Sequence, residues 1–266
     1  MKYRTVFCFA LLLGGCVTVA APTPKSTLGP QAQSPHHRPV GFWDNEKAVV
    51  QVLHIISRAV VDPNGKTVTR QLTALGTGGV VVDKNGLVLT NNHVIAKQPP
   101  VAGQPPAPPD IYMVCRVVDG IRDCSAAKVI ATDPANDLAL LHTDRRFSQQ
   151  VKFVDDNELV PGDEVYFWGN VFSLLPPSPF FGRYLGRVEP PYYNGAGLGS
   201  LPLLLMDMTV VNGSSGSPVF DGLGRCVGVV VAYYFGSING PRPLGIIIPS
   251  TTVMKFLKKN SPKSKK

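Results

Sequence analysis

The stretch Val-Val-Asn-Gly-Ser-Ser-Gly-Ser-Pro-Val-Phe, residues 210–220, sets three serines among two glycines and a proline, between apolar runs. A surface turn reads much the same way, so the question is whether one of these hydroxyls is a nucleophile. A serine hydroxyl attacks poorly unless a base removes its proton, and an oriented imidazole is the usual base. The chain has five histidines. His36 and His37 lie in a proline-rich stretch, while His54 and His142 sit inside or at the end of strand-like runs, where a structural histidine is the default. His93 differs. Leu-Val-Leu-Thr-Asn-Asn-His-Val-Ile puts it just past a strand, on a polar turn that opens a short helix. A carboxylate must then hold the imidazole in one tautomer. Ala-Thr-Asp-Pro-Ala-Asn-Asp-Leu-Ala-Leu-Leu supplies two: Asp133, before a proline and turn-like, and Asp137, against an apolar strand. Each segment alone also has a purely structural reading.

The elements that must position these groups read as β. From residue 48 onward come short runs rich in β-branched residues, among them 48–56, 79–83, 87–90, 111–118, 138–141 and 226–232. Turn signals separate them: Pro-Asn-Gly-Lys at 63–66, Lys-Asn-Gly at 84–86, Asp119-Gly120 and Asp-Gly-Leu-Gly at 221–224. Many short strands at such spacing point to barrels or sandwiches. Helix is expected only as a turn at 93–97 and over 250–259, with Ser250 as its cap. Residues 98–110 hold too many prolines for a strand and read as an exposed loop.

The net charge of +8 is confined to the ends. Six lysines lie in residues 253–266, and Lys2 and Arg4 near the start; without them the body is neutral, so no nucleic-acid groove is indicated. Residues 1–21 read as a secretory signal, basic and then apolar over too short a run for a membrane span. Leu13-Gly14-Gly15-Cys16 resembles a bacterial lipobox, which would lipidate Cys16 and tether the protein. Thr18-Val19-Ala20 offers ordinary cleavage instead, and both stay open. Residues 22–44 read as a Pro-rich linker without a core. Neither His-Glu-x-x-His nor paired Cys-x-x-Cys occurs, so no metal or organic cofactor is expected.

Thr-Asn-Asn-His-Val-Ile, Thr-Asp-Pro-Ala-Asn-Asp-Leu-Ala-Leu-Leu and Asn-Gly-Ser-Ser-Gly-Ser-Pro-Val follow one another in the order His, Asp, Ser. That order resembles the chymotrypsin-like (trypsin-like) serine proteases, and most closely their bacterial Htr/Deg-type branch. The run 75–95, the segment Val-Pro-Gly-Asp-Glu-Val-Tyr-Phe-Trp-Gly-Asn and the closing Leu-Gly-Ile-Ile-Ile-Pro-Ser-Thr-Thr-Val add to the likeness, which covers roughly residues 48–257. The resemblance implies an all-β fold of two six-stranded antiparallel β-barrels, about 45–145 and 151–250, with a short C-terminal helix. It implies a serine endopeptidase in which His93 is general base and acid, Asp137 orients it and Ser215 is the nucleophile. Ser217 departs from the glycine usual at its position. Gly213 permits a tight turn that aims the N–H groups of Gly213 and Ser215 at one oxyanion.

By the same resemblance Thr209 lies at the base of the primary substrate pocket, with Val231, Ala232 and Tyr233 along its wall. An uncharged pocket narrowed by Tyr233 would accept small or medium apolar residues of protein or peptide substrates. The protein would work in the bacterial envelope or periplasm. The protease domain is expected over 45–254, followed by a basic tail, 255–266, with no room for the PDZ domain usual in Htr-type proteins. A rival reading is an inactive protease-fold binding module, its cleft blocked by the segment 170–206. Finally, a two-residue turn at Asp119-Gly120 counts Cys115 directly opposite Cys124, on a non-hydrogen-bonded step where a disulfide can form, leaving Cys226 as a buried thiol.

Overall fold

A computed structural model describes residues 38–97, 109–118, 121–169, 177–189, 201–237 and 241–262. The signal, Cys16, most of the linker, residues 98–108 and the Asp119-Gly120 turn lie outside the described residues, as do 170–176 and 190–200. Six strands form the first barrel: β1 (Val49–Val61), β2 (Thr67–Asp83), β3 (Leu87–Thr90), β4 (Ile111–Val118), β5 (Ile121–Asp133) and β6 (Leu138–Thr143). Six more form the second: β7 (Glu164–Gly169), β8 (Ser178–Val188), β9 (Leu203–Asp207), β10 (Pro218–Asp221), β11 (Cys226–Ser237) and β12 (Pro241–Pro249). Each barrel is closed and antiparallel, in the orders β1-β2-β3-β6-β5-β4 and β10-β11-β12-β9-β8-β7. This is the architecture that the family resemblance implies.

Three of the expected turns are clipped in the same way. Asp62, Asp83 and Asp221 each accept, through Oδ1, backbone N–H groups two or more residues on, which closes the hairpins at 63–66, 84–86 and 222–224. Register shifts at Val52/His54, Val81/Asp83, Val129/Ala131 and Val230/Ala232 add the local bends that let long strands curl into barrels. Strands β3 and β10 are buried along their whole length, because one face lines a barrel and the other meets the rest of the molecule. Their continuous apolar runs follow from that double burial. Both barrels belong to one compact unit, and the larger buried cluster runs without a break from Val80, Leu89 and Leu140 of the first to Phe220, Val229 and Ile248 of the second.

The body begins earlier than the linker boundary at residue 44 suggests. Residues Phe42–Glu46 form a short helix, α1, that docks on the second barrel. Phe42 is buried, with its ring 4.7 Å from Trp168 and 5.2 Å from Tyr166. Trp168 Nε1 donates to the Phe42 carbonyl, and Asn45 Nδ2 donates to the Tyr166 hydroxyl and the Gly224 carbonyl. An aromatic pair at the end of a polar stretch was the signal available.

The C-terminal helix α3 (Ser250–Asn260) buries Val253 and Phe256, so the packed body also runs past residue 254 into the stretch expected as a tail. Ser250 is not its cap. Its hydroxyl donates to the Val154 carbonyl and to Asp156 Oδ1, and Asp156 Oδ1 takes the Thr251 N–H at 2.7 Å. The opposite oxygen accepts from Arg187 Nη2 at 2.6 Å. A fully buried carboxylate on the inter-barrel connection thus satisfies the helix start, which needs acceptors for its free N–H groups.

Burial of Asp156 works against its charge, but the Thr251 hydrogen bonds and the Arg187 guanidinium outweigh it and hold the carboxyl below its usual range. The ion's contribution is therefore complete above about pH 4 and is lost as pH falls through the depressed folded value. Asp156→Asn is expected to destabilise by roughly 3 kcal/mol at pH 7, since it leaves Arg187 without its charge partner. Urea unfolding at pH 7 and pH 3 checks it: the gap to wild type should shrink at pH 3, and an equal gap at both counts against the charge.

Strands β4 and β5 pair with Cys115 opposite Cys124, and the two are joined as a disulfide with Cα atoms 4.0 Å apart. Cys226 is a buried free thiol, pushed up to about 12 chiefly by burial. Of these three, only Cys226 should label with maleimide after unfolding without reductant. Closing a nine-residue separation stabilises by about 2–3 kcal/mol on loop entropy, so reduction should lower the unfolding free energy from urea titration by that measure and move the midpoint down accordingly.

Candidate active site

Asp137 occupies the turn between β5 and β6 with left-handed backbone, φ 50°, a conformation that aspartate enters more readily than most residues with a Cβ. Its carbonyl accepts from the Asn92 N–H and from Asn91 Nδ2, each at 3.1 Å. Its carboxylate Oδ1 accepts from the His93 N–H at 2.7 Å, and Oδ2 lies 2.5 Å from His93 Nδ1. Three oxygens of one residue therefore hold residues 91–93, at the start of the one-turn helix α2 (Asn92–Ile95). With a carboxylate at Nδ1 that nitrogen donates, which leaves Nε2 as the acceptor. The Asp137 side chain is 8% exposed and that of His93 48%, so the carboxylate is buried beneath an imidazole that faces out. Asp133 makes a different kind of contact: it accepts from Asn136 within its own turn.

Burial separates the three serines. Ser214 and Ser217 are wholly buried. The Ser214 hydroxyl accepts from the Val211 N–H at 3.3 Å inside the turn, and Ser217 Oγ has no partner among the described residues. Ser215 alone keeps exposure. It forms no hydrogen bond with His93 among the described residues, a contact that in free enzymes is often long and closes with substrate. Gly213 has φ 94°, which only glycine adopts at ease, and the N–H groups of Gly213 and Ser215 have no acceptor among the described residues.

The turn is fixed from two sides. The Gly216 N–H donates to the Val230 carbonyl and the Val230 N–H to the Ser217 carbonyl, both at 2.9 Å, which ties it to β11. From the first barrel, Gly78 of β2 comes so close that a Cβ there would lie 2.2 Å from Ser217 Oγ, and a Cβ on Gly216 would lie 2.1 Å from the Gly78 carbonyl. That carbonyl also accepts from Thr90 Oγ1 at 2.9 Å. Thr90 ends the strand that leads to His93, so this contact sets the histidine segment against the serine segment. Neither Gly78 nor the roles of Thr90 and Asn91 were readable from the sequence; Thr-Asn-Asn-His names the residues but not their partners.

Near the turn, Thr209 is exposed between buried Met208 and Val210. Val231 is buried at the register shift between Val230 and Ala232, and Tyr233 is half-buried against the inner cluster of the second barrel. Among the described residues no cluster of three or more His, Cys, Asp or Glu could hold a metal, and no helix is long and apolar enough to cross a membrane.

The family profile of the trypsin-like peptidase domain matches residues 76–229. A probable periplasmic serine endoprotease, DegP-like, from Brucella suis biovar 1 (strain 1330) is 32% identical over 194 residues, 69% of this chain and 33% of that protein. The protein of the same description from Marinomonas sp. (strain MWYL1) is 32% identical over 190 residues, 70% of this chain and 35% of its own length. The chain thus spans about a third of the length of the curated relatives it matches. Among solved structures, the HtrA-type protease AlgW with decapeptide superposes with a TM-score of 0.60 at 20% identity, over 82% of this chain and 66% of that one. Deg5 does so with a TM-score of 0.56 at 24% identity, over 80% and 88%. These two likenesses speak to the fold; the profile and the curated relatives speak to the family. The chain belongs to the trypsin-like peptidase family.

Proposed function

We propose that the protein is a serine endopeptidase whose triad is Ser215, His93 and Asp137. The observation that carries the reading is the grip of Asp137 on both the backbone and the ring of His93, opposite a turn in which Ser215 is the one serine not buried. Ser215 Oγ attacks the scissile carbonyl carbon as His93 Nε2 takes its proton. The carbonyl oxygen becomes an oxyanion that the Gly213 and Ser215 N–H groups stabilise. His93 then gives the proton to the leaving amine, and the tetrahedral species collapses to an acyl-Ser215 ester. Water, deprotonated by His93, attacks the ester and releases the acid. Asp137 holds the ring in the Nδ1–H tautomer and stabilises the imidazolium that forms on the way.

The relatives are named periplasmic, which supports an exported protein acting on protein or peptide segments in the envelope; lipid attachment at Cys16 rests on the lipobox-like Leu13-Gly14-Gly15-Cys16 alone, beside ordinary cleavage after Thr18-Val19-Ala20. A solved neighbour described with a decapeptide supports a peptide ligand. Neutral Thr209 at the pocket base, with Val231, Ala232 and Tyr233 along the wall, offers no partner for a buried Lys or Arg, which is costly. Cleavage after Val, Ala or Leu follows, with neighbouring sizes separated by only about 1–3 kcal/mol per methylene.

Ser215→Ala is expected to lower kcat by roughly 10⁴–10⁶-fold with the fold intact, and to abolish labelling by a fluorophosphonate. Ser214→Ala should keep most activity, because its hydroxyl is spent inside the turn; a dead Ser214 variant beside a working Ser215 variant would reverse the assignment. A well-folded wild type that never labels would favour the inactive binding module. Cleavage-site mapping on casein should give mainly small and medium apolar residues before the scissile bond. Dominant cleavage after Lys or Arg would sink the neutral pocket, and dominant cleavage after Phe or Tyr its narrowing by Tyr233.

A further inference from the structure

A second histidine, this one buried, packs against the helix that carries His93, and the triad does not use it. His54, on β1 beside the register shift at Val52/His54, is 2% exposed. Its Nδ1 lies 3.2 Å from the Val94 carbonyl. Tyr112, opposite it on β4, lays its ring against the imidazole with centroids 4.7 Å apart and donates its hydroxyl to the Ile95 carbonyl at 3.1 Å. Val94 and Ile95 are the two residues after His93. A one-turn helix leaves its last carbonyls without intrahelical donors, and here two side chains from neighbouring strands supply them. Asp137 grips the start of α2; His54 and Tyr112 grip its end.

The imidazole of His54 has acceptors on both sides. Nε2 is 3.1 Å from Asp110 Oδ2 without a directed hydrogen bond, so the bonded contact of the ring is the one from Nδ1–H to Val94. Lys97 and Lys128 line the same cavity as Asp110 and Tyr112. Burial, and then the Asp110 carboxylate, push the Tyr112 phenol up, which keeps its proton on where a histidine titrates.

We propose that His54 is a positioning residue for the reaction at His93: its Nδ1–H holds the Val94 carbonyl and, with the Tyr112 hydroxyl on the Ile95 carbonyl, fixes how α2 presents the catalytic ring. This rests on the reading of His93 as general base. With the brace cut, α2 presents the ring off line, and attack by Ser215 slows while the fold and probe binding stay as they were.

The test is the rate of fluorophosphonate labelling of the full chain, with His93 ring N–H signals followed by NMR on the same samples. Tyr112→Phe should label roughly ten- to hundred-fold more slowly, with unchanged half-saturation by the probe, as a misplaced base would. His54→Leu, which cannot donate to Val94, should slow labelling to the same extent, and His54→Gln, whose amide can, should bring it back toward the wild-type rate. A folded Tyr112→Phe that labels at the wild-type rate, or a folded His54→Gln no faster than His54→Leu, overturns the proposal; Tyr112→Phe alone decides it if the His54 variants do not fold. If wild type itself never labels, the protease reading fails first. The NMR then decides this one alone: an unchanged His93 Nδ1–H signal in Tyr112→Phe and His54→Leu overturns it, and a shifted or broadened one upholds the brace.

Discussion

The arrangement of this molecule turns on the hydrogen bonds that Asp137 makes to residues 91–93. A carboxylate that is 8% exposed has to be compensated, and it is, by a backbone N–H and a ring N–H from the same residue, His93. To reach them Asp137 adopts a left-handed backbone, a cost of ~1–2 kcal/mol for a residue with a Cβ. The same geometry turns its carbonyl toward Asn91 and Asn92. A strained turn on one hairpin and a one-turn helix on another, neither stable alone, thereby fix each other. The direction of the His93 ring is a product of that mutual constraint.

The second constraint is the approach of the two barrels. Between β2 and the serine turn there is no space for a side chain at either Gly78 or Gly216. The Gly78 carbonyl, held by Thr90, touches the backbone that follows Ser215. Close packing of this sort transmits position with little slack. It relates the histidine of one barrel to the serine of the other through about three residues on each side. The buried cluster that runs across both barrels keeps the seam closed.

Further out, two short helices tie down the ends of the body. Phe42 docks α1 on the aromatic face of the second barrel, and Asp156 fastens α3 to the connection between barrels and to Arg187 of β8. Both anchors join segments far apart in the chain, so each lowers the freedom of a terminus that would otherwise fray. His54 and Tyr112 do for α2 what Asp156 does for α3, supplying from another element the partners that a helix end lacks.

What the sequence determined by itself was whatever rests on neighbours along the chain. The hairpins at 63–66, 84–86 and 222–224 follow from Asp, Asn and Gly acting within four residues, and the facing of Cys115 and Cys124 follows from counting strand steps outward from one tight turn. The β pattern left barrels and sandwiches open, and the two-barrel architecture came from the resemblance that the ordered His, Asp and Ser segments carry. Tertiary structure decided the rest. Asp133 and Asp137 stand four residues apart at the two ends of one turn, and only the folded β5–β6 hairpin brings one of them to His93. Ser214, Ser215 and Ser217 are chemically alike, and their burial, set by β11 and by Gly78 from the other barrel, tells them apart. The cap of α3 came from Asp156 rather than Ser250, the docking of Phe42 from β7 and β8, and the two-sided hold on α2 from β1 and β4. Each of these joins groups separated by 17 to 139 positions. Which partner such a group finds depends on how the closed barrels set their strands side by side, and no local pattern records that.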